Sequence, residues 1–141
     1  MSRNEIETAV RSAYAARAAN DPIGVGAIFS PDARFTDAGH PTHCSAAATY
    51  VGPQIHQALK ALCDNFRASN YEMRSLLIDG DRAAAICRAD FQYVLTSETF
   101  SLDLVHFWTF KDGKAVELVE YFDTAHVAHV VSKAPLRGPN A

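Results

Sequence analysis

The sequence predicts an α+β domain in which helices come first and an antiparallel sheet follows. Three observations carry this. Apolar residues recur at helical spacing in the first half of the chain. Four strand-like runs occupy the second half. Asp-Gly dipeptides stand between the first and the last pair of those runs.

The elements follow in order. Ser2-x-x-Glu5 forms a capping box, so a helix starts there, and Ile6, Val10, Ala13 and Tyr14 fall on its apolar face. Asp21-Pro22 supplies the N-cap and first turn of a second, short helix reaching about residue 29. Residues 33–37 read as a short strand, and residues 38–52, rich in Gly, Pro, Thr and Ser, as a long loop. Pro53 opens a third helix with Ile55, Ala58, Leu59, Leu62 and Phe66 on one face. Strands are predicted at 71–78, 82–95, 99–110 and 114–122, with Asp79-Gly80 and Asp112-Gly113 as hairpin turns. One domain is expected over residues 1–133, with a disordered tail at 134–141.

Composition excludes several function classes. The chain has 141 residues, 48% hydrophobic and 21% charged, with a net charge of −3 and no block of like charge. Nucleic acid is not an expected partner, because phosphate binding needs a basic face. No run approaches the roughly 18 apolar residues of a membrane helix, and the N-terminus lacks a signal-peptide core. Cys44, Cys63 and Cys87 are odd in number and irregularly spaced, which reads as reduced thiols in a cytoplasmic protein.

Alternation along the strands separates inner from outer faces. In 99–110 the even face is Phe100, Leu102, Leu104, His106, Trp108 and Phe110, so His106 is an ionisable residue in an apolar row. In 114–122 Glu120 interrupts Val116, Leu118 and Phe122, and in 33–37 Asp37 shares a face with Ala33 and Phe35. Burying an unpaired charge costs several kcal/mol, so such groups need partners, water or a use. A carboxyl in apolar surroundings gains a raised pKa, which suits proton transfer near neutral pH. Each group also has an ordinary explanation, since inward histidines are commonly hydrogen-bonded core residues. Strand 82–95 leaves two readings open. Alternation puts Ala83, Ala85, Cys87, Ala89, Phe91 and Tyr93 inside; an apolar dimer face would instead turn Arg88, Asp90 and Gln92 toward the cavity.

Residues 32–37, then Gly52, then Phe110-Lys111-Asp112-Gly113-Lys114 running into Glu120-Tyr121-Phe122-Asp123 resemble the nuclear transport factor 2-like superfamily, in its SnoaL-like polyketide cyclase and ketosteroid isomerase branch. The resemblance implies a cone: a curved antiparallel sheet wrapped around three N-terminal helices, with a deep pocket at the open end and dimers formed through the outer sheet face. Asp37 matches the proton-shuttling aspartate of ketosteroid isomerases. Their oxyanion tyrosine falls on Ala13 by spacing, with Tyr14 one residue away, and His106 stands in place of their protonated aspartate. Glu120 is similar in position to the last-strand aspartate of SnoaL-like cyclases. Arg88-Ala89-Asp90 with Glu120 looks like the trio of limonene epoxide hydrolases, which favours the even face of 82–95 pointing inward.

The expected function is therefore general acid–base catalysis on a small apolar, carbonyl-type molecule, without metal or organic cofactor. Asp37 is the expected base, His106 and Tyr14 polarise the carbonyl, and Glu120 is a second acid–base group. Phe35, Leu104, Trp108, Leu118 and Phe122 line the expected pocket. Epoxide hydrolysis through Arg88, Asp90 and Glu120, or ligand binding without chemistry, are the alternatives. His40, His43 and Cys44 cluster on the long loop but lack a fourth zinc ligand and read as a lid. His126 and His129 share a helix face, His56 opens the third helix, and Cys87 has no base beside it.

Overall fold

The computed structural model describes residues 1–136. Ten elements follow the expected order: α1 (Arg3–Ala18), α2 (Pro22–Gly26), β1 (Phe29–Asp37), β2 (Ala48–Val51), α3 (Gln54–Asn65), β3 (Phe66–Asp79), β4 (Arg82–Tyr93), β5 (Glu98–Lys111), β6 (Lys114–Phe122) and α4 (Thr124–Val131). The capping box at α1 forms in both directions between Ser2 and Glu5. Asp21 caps α2 through its side chain. The Asp112-Gly113 turn has positive φ at both residues, as a two-residue hairpin with the sheet's twist requires.

The elements depart from expectation in four places. β1 begins four residues earlier than predicted, because its first residues pair past a register shift that alternation does not show. The loop at 38–52 contains β2, a short edge strand held antiparallel to β1. Its return into α3 passes through Gly52 at φ 58°, where the amide donates to Ala33 O. β3 starts at Phe66, directly at the end of α3. The expected tail is held at its start, where the Tyr93 hydroxyl donates to Ala134 O and Ala134 and Leu136 pack on the core. Its last five positions lie outside the described residues.

The sheet order is β2-β1-β6-β5-β4-β3. Every neighbouring pair is antiparallel except β1 and β6, which run parallel. The inner face carries the core, with Trp108, Tyr93, Phe35 and Phe110 fully buried against Ile6, Val10 and Ile55 of the helices. The outer face is apolar in two cross-strand rows: Ile86, Val105 and Tyr121, and beside them Leu77, Ala84, Phe107 and Val119. Leu77, Ile86, Phe107 and Tyr121 are all exposed. No helix is long and apolar enough to cross a membrane among the described residues.

Asn20 ties the helical layer to the sheet. It sits in the left-handed region at φ 56°, just past α1. Its side-chain amide donates to Ala68 O (3.0 Å) and its carbonyl accepts from Ala68 N (2.8 Å), mimicking a strand neighbour for β3. Asn20→Ala removes both bonds and places a Cβ-bearing residue without a local partner in a strained conformation. It should cost about 2 kcal/mol in urea unfolding. Asn20→Gly keeps the backbone conformation and should cost measurably less; equal losses would show that φ carries no part of the cost.

Candidate active site

Cross-strand register assembles the site. Asp37 of β1 lies opposite Glu120 of β6, and Glu120 lies opposite His106 of β5, so three ionisable residues stand in one row on the inner face. Alternation turns them inward because Phe35, Leu118, Leu104 and Trp108 of the same strands fill the core. α1 brings Tyr14 onto the row from the other layer, on the same buried face as Ile6, Val10 and Ala13. Asp37 and His106 are each 3% exposed.

A continuous hydrogen-bond chain links these groups. His106 Nε2 is 2.5 Å from Glu120 Oε2, and His106 Nδ1 is 2.7 Å from the Tyr14 hydroxyl. Trp108 Nε1 donates to the Tyr14 oxygen at 3.2 Å. Cys87 Sγ stands 4.0 Å from His106 Nδ1. Asp37 Oδ1 is the exception: it is buried with no hydrogen-bond partner among the described residues.

The protonation states follow from this wiring. Burial strongly favours the neutral form of Asp37, and the charge and hydrogen bond of Glu120 push in the same direction, so its pKa lies well above the usual carboxylate range. Burial also works to raise Glu120, but the hydrogen bond and positive charge of His106 overcome it and hold Glu120 down at about 2. Burial pulls His106 down, whereas its hydrogen bonds to Cys87 and Glu120 and the carboxylate's charge lift it to about 9. Burial raises Tyr14, which therefore stays a phenol. At neutral pH the row reads as a neutral Asp37, a carboxylate at Glu120 and an imidazolium at His106. In that state both ring N–H groups of His106 donate, the Tyr14 oxygen accepts from His106 and Trp108, and the Tyr14 proton is left to face the cavity. Loss of the His106 proton turns the Tyr14 O–H back onto Nδ1.

Two cavities meet at this row. The first, about 490 Å³ including its open mouth, is lined by Asp37 and Glu120 together with Phe91, Phe100, Leu104 and Phe122. The second, about 450 Å³ counted likewise with the open space at its mouth, is lined by Tyr14, His106 and Glu120 with Phe35, Trp108 and Leu118. Both share Arg17, Leu62, Tyr71 and Glu120. The apolar residues expected at the pocket, Phe35, Leu104, Trp108, Leu118 and Phe122, all lie on these walls.

Arg88 and Asp90 do not. β4 buries its odd-numbered face, while Arg88 and Asp90 project outward. Arg88 donates to Asp103 at 3.1 Å, and Asp90 accepts from Ser101 at 2.5 Å. Alternation is the sounder guide here, because six consecutive apolar odd positions outweigh a three-residue likeness. The epoxide hydrolase trio loses two of its members. The loop histidines His40 and His43 are exposed, with rings 5.3 Å apart, while Cys44 is buried. Among the described residues no three His, Cys, Asp or Glu side chains gather as a metal site. His56 packs beside Gly26, and His126 lies edge-on to Phe100. From the long loop it is Ala46 that reaches the first cavity.

Sequence reasoning missed Arg17 and Tyr71. Arg17 lies one helical turn after Tyr14, a spacing that places it on the cavity side of α1, but among the chain's 13 Lys and Arg residues nothing marks it. Tyr71 stacks on Tyr14 at 5.7 Å, and its strand shows no clean alternation.

Comparisons with known proteins agree with this architecture. An NTF2-like protein of unknown function from Burkholderia pseudomallei is 25% identical, with a TM-score of 0.77 over 94% of this chain and 99% of that one. TerC, crystallised with polyporic acid, is 25% identical, with a TM-score of 0.77 over 91% of this chain and 98% of that one. A candidate isomerase from Bacillus subtilis shares the fold at 14% identity, with a TM-score of 0.84 over 95% and 97% of the two chains. No curated protein matches the sequence. The SnoaL-like domain matches residues 10–118, which reach from α1 to the middle of β6. With the cone's element order and its inward polar row in place, that match makes the chain a member of the SnoaL-like domain family within the NTF2-like superfamily.

Proposed function

We propose that the pocket carries out general acid–base proton transfer on a small, largely apolar carbonyl compound, as an isomerase, cyclase or dehydratase does. The observation that carries this reading is the buried row of Asp37, Glu120 and His106, joined to Tyr14 and opening on two apolar cavities. A pocket that only binds has no need of three ionisable groups within one hydrogen-bond chain, since burying them opposes folding.

Asp37 rests protonated and gives its proton to a carbonyl oxygen or a leaving hydroxyl. Its conjugate base then stands beside the Glu120 carboxylate, a like-charge pair in a buried site. Glu120 relieves this by accepting a proton, either from the substrate's α-carbon or from His106 Nε2. If His106 supplies it, its Nδ1–H still donates to Tyr14 and its bared Nε2 accepts the new Glu120 O–H, so the chain stays satisfied. The ionised Asp37 is a strong base, because the burial that raised its pKa favours the proton's return. It takes a proton back from the substrate while Glu120 returns its own to the substrate carbon or to His106, which restores the resting row. In the resting state Tyr14 O–H, polarised by two donors to its oxygen, stabilises an enolate oxygen.

The direct test follows deuterium incorporation into the α-positions of cyclic ketones and their β,γ-unsaturated analogues in D2O by NMR. The protein should catalyse exchange or isomerisation, and Asp37→Asn should lower the rate by at least about 100-fold, with a similar loss for His106→Ala. Exchange that survives both replacements would sink this assignment.

The same row predicts a pH-dependent stability effect. An unfolded Asp37 ionises near its ordinary value of 3.8, whereas the folded protein keeps it neutral to much higher pH. Asp37 therefore withdraws stability progressively as pH rises above about 3.8. Asn keeps a donor toward Glu120 and carries no proton to lose. Asp37→Asn should therefore unfold at higher denaturant than the parent at pH 7, with the gain shrinking toward pH 4; a pH-independent difference would contradict the raised pKa.

We also propose that the apolar outer rows pair two copies of the chain. A patch containing Leu77, Ile86, Phe107 and Tyr121, each at least 48% exposed, is more than a monomer ordinarily leaves in water. Analytical ultracentrifugation should show a dimer, and Phe107→Glu should shift it to monomer without loss of helix signal.

A further inference from the structure

Arg17 is a cation at the meeting point of both cavities, and no step above uses it. Its surroundings are built to hold it still. Nη2 donates to Phe66 O at 2.8 Å, and Nη1 donates to Asn20 Oδ1 at 3.2 Å. Asn20 is itself locked by its two bonds to the Ala68 backbone. The guanidinium lies over the Phe91 ring, 5.1 Å from its centre. It forms no ion pair among the described residues, so its charge is unanswered by any carboxylate within salt-bridge distance. Two of its five N–H groups are spoken for, and the side chain lines a pocket whose other walls are mainly aromatic and aliphatic.

A half-buried guanidinium, preorganised by backbone and amide partners rather than by an acid, matches the geometry of a planar anion, which it binds through paired N–H donors. The charge count of the site points the same way. Glu120 is answered by His106 and Asp37 rests neutral, which leaves Arg17 as the surplus charge. Polyporic acid, with which the related TerC was crystallised, is an acid by name and an example of the class.

We propose that Arg17 anchors an anionic group of the substrate, so that the pocket selects small aromatic or aliphatic acids (carboxylates, or enols and phenols ionised at neutral pH) over their neutral counterparts. This rests on the acid–base reading for the identity of the pocket and deepens it by naming the substrate class. Bound on Arg17, the anionic end sits between the two cavities and the carbon skeleton extends along Leu104 and Phe122, within reach of Asp37 and Glu120.

The test compares 2-naphthoate with 2-naphthamide, which share size and shape and differ in charge. Binding is followed by Trp108 fluorescence and by calorimetry at pH 7. The acid should bind at least about tenfold tighter than the amide, the margin of a charge-assisted bidentate contact over a neutral one. Arg17→Gln should bring the ratio to within about twofold, and Arg17→Lys should restore part of it. Thermal unfolding of both variants checks that the fold persists. Equal affinity for acid and amide in the unaltered protein, absence of acid binding at millimolar concentration, or a ratio that survives Arg17→Gln would each overturn the proposal. The two ideas fail separately. Equal affinity for acid and amide in the unaltered protein would overturn the Arg17 assignment and not the Asp37-dependent exchange, and exchange insensitive to Asp37→Asn would leave the selectivity standing.

Discussion

The hydrogen-bonded ion pair of His106 and Glu120 is the interaction on which the rest of the pocket depends. Two strands could not bury a lone imidazole and a lone carboxylate opposite each other in this core. Each ion loses several kcal/mol of hydration there, and only a close mutual contact returns it. The 2.5 Å pair satisfies that condition, and it sets the state of everything nearby. Because Glu120 keeps its charge, Asp37 must give up its own. Because His106 is held as a donor, Tyr14 must accept. The order of charges along the row follows from one pair.

The helical layer answers to the same constraint. Tyr14 occupies the space above His106, where a purely apolar side chain would leave Nδ1 with the Cys87 sulfur at 4.0 Å alone. Trp108 then serves two ends at once: its ring packs between Phe29 and Phe110, and its N–H completes the coordination of the Tyr14 oxygen. Arg17 follows one turn later on α1 and is fixed through Asn20 to β3. Polar and apolar requirements are thus met by the same few residues, which leaves Asp37 Oδ1 as the polar atom open to something that is not protein.

Much of this is legible in the sequence, because the fold is written in local signals. The capping box, Asp21-Pro22, and the Asp-Gly turns each act within a few residues. The strict alternation of β5 is enough by itself to display His106 as an intruder in an apolar row. β2 is hidden because four residues at a sheet edge carry too short a pattern beside Gly39, Pro41 and Gly52. The parallel pairing of β1 with β6 is hidden because it joins the first strand to the last. Arg17 cannot be recognised from its neighbours in the chain, since its meaning comes from Asn20, Phe66 and Phe91, the last two far along the sequence. Arg88 and Asp90 show the opposite hazard: a short likeness suggests a site, while the plain run of apolar positions along β4 already places them outside.

The register row has a wider consequence. Positions 37, 120, 106 and 85 are direct cross-strand neighbours, yet they come from four strands spread over most of the chain. Folding is specified along the strands, whereas chemistry is specified across them. The two are therefore separable in inheritance: exchanging the occupants of this line, from acid to imidazole to the small alanine beside it, re-equips the pocket while every turn, cap and hairpin that shapes the cone stays as it was.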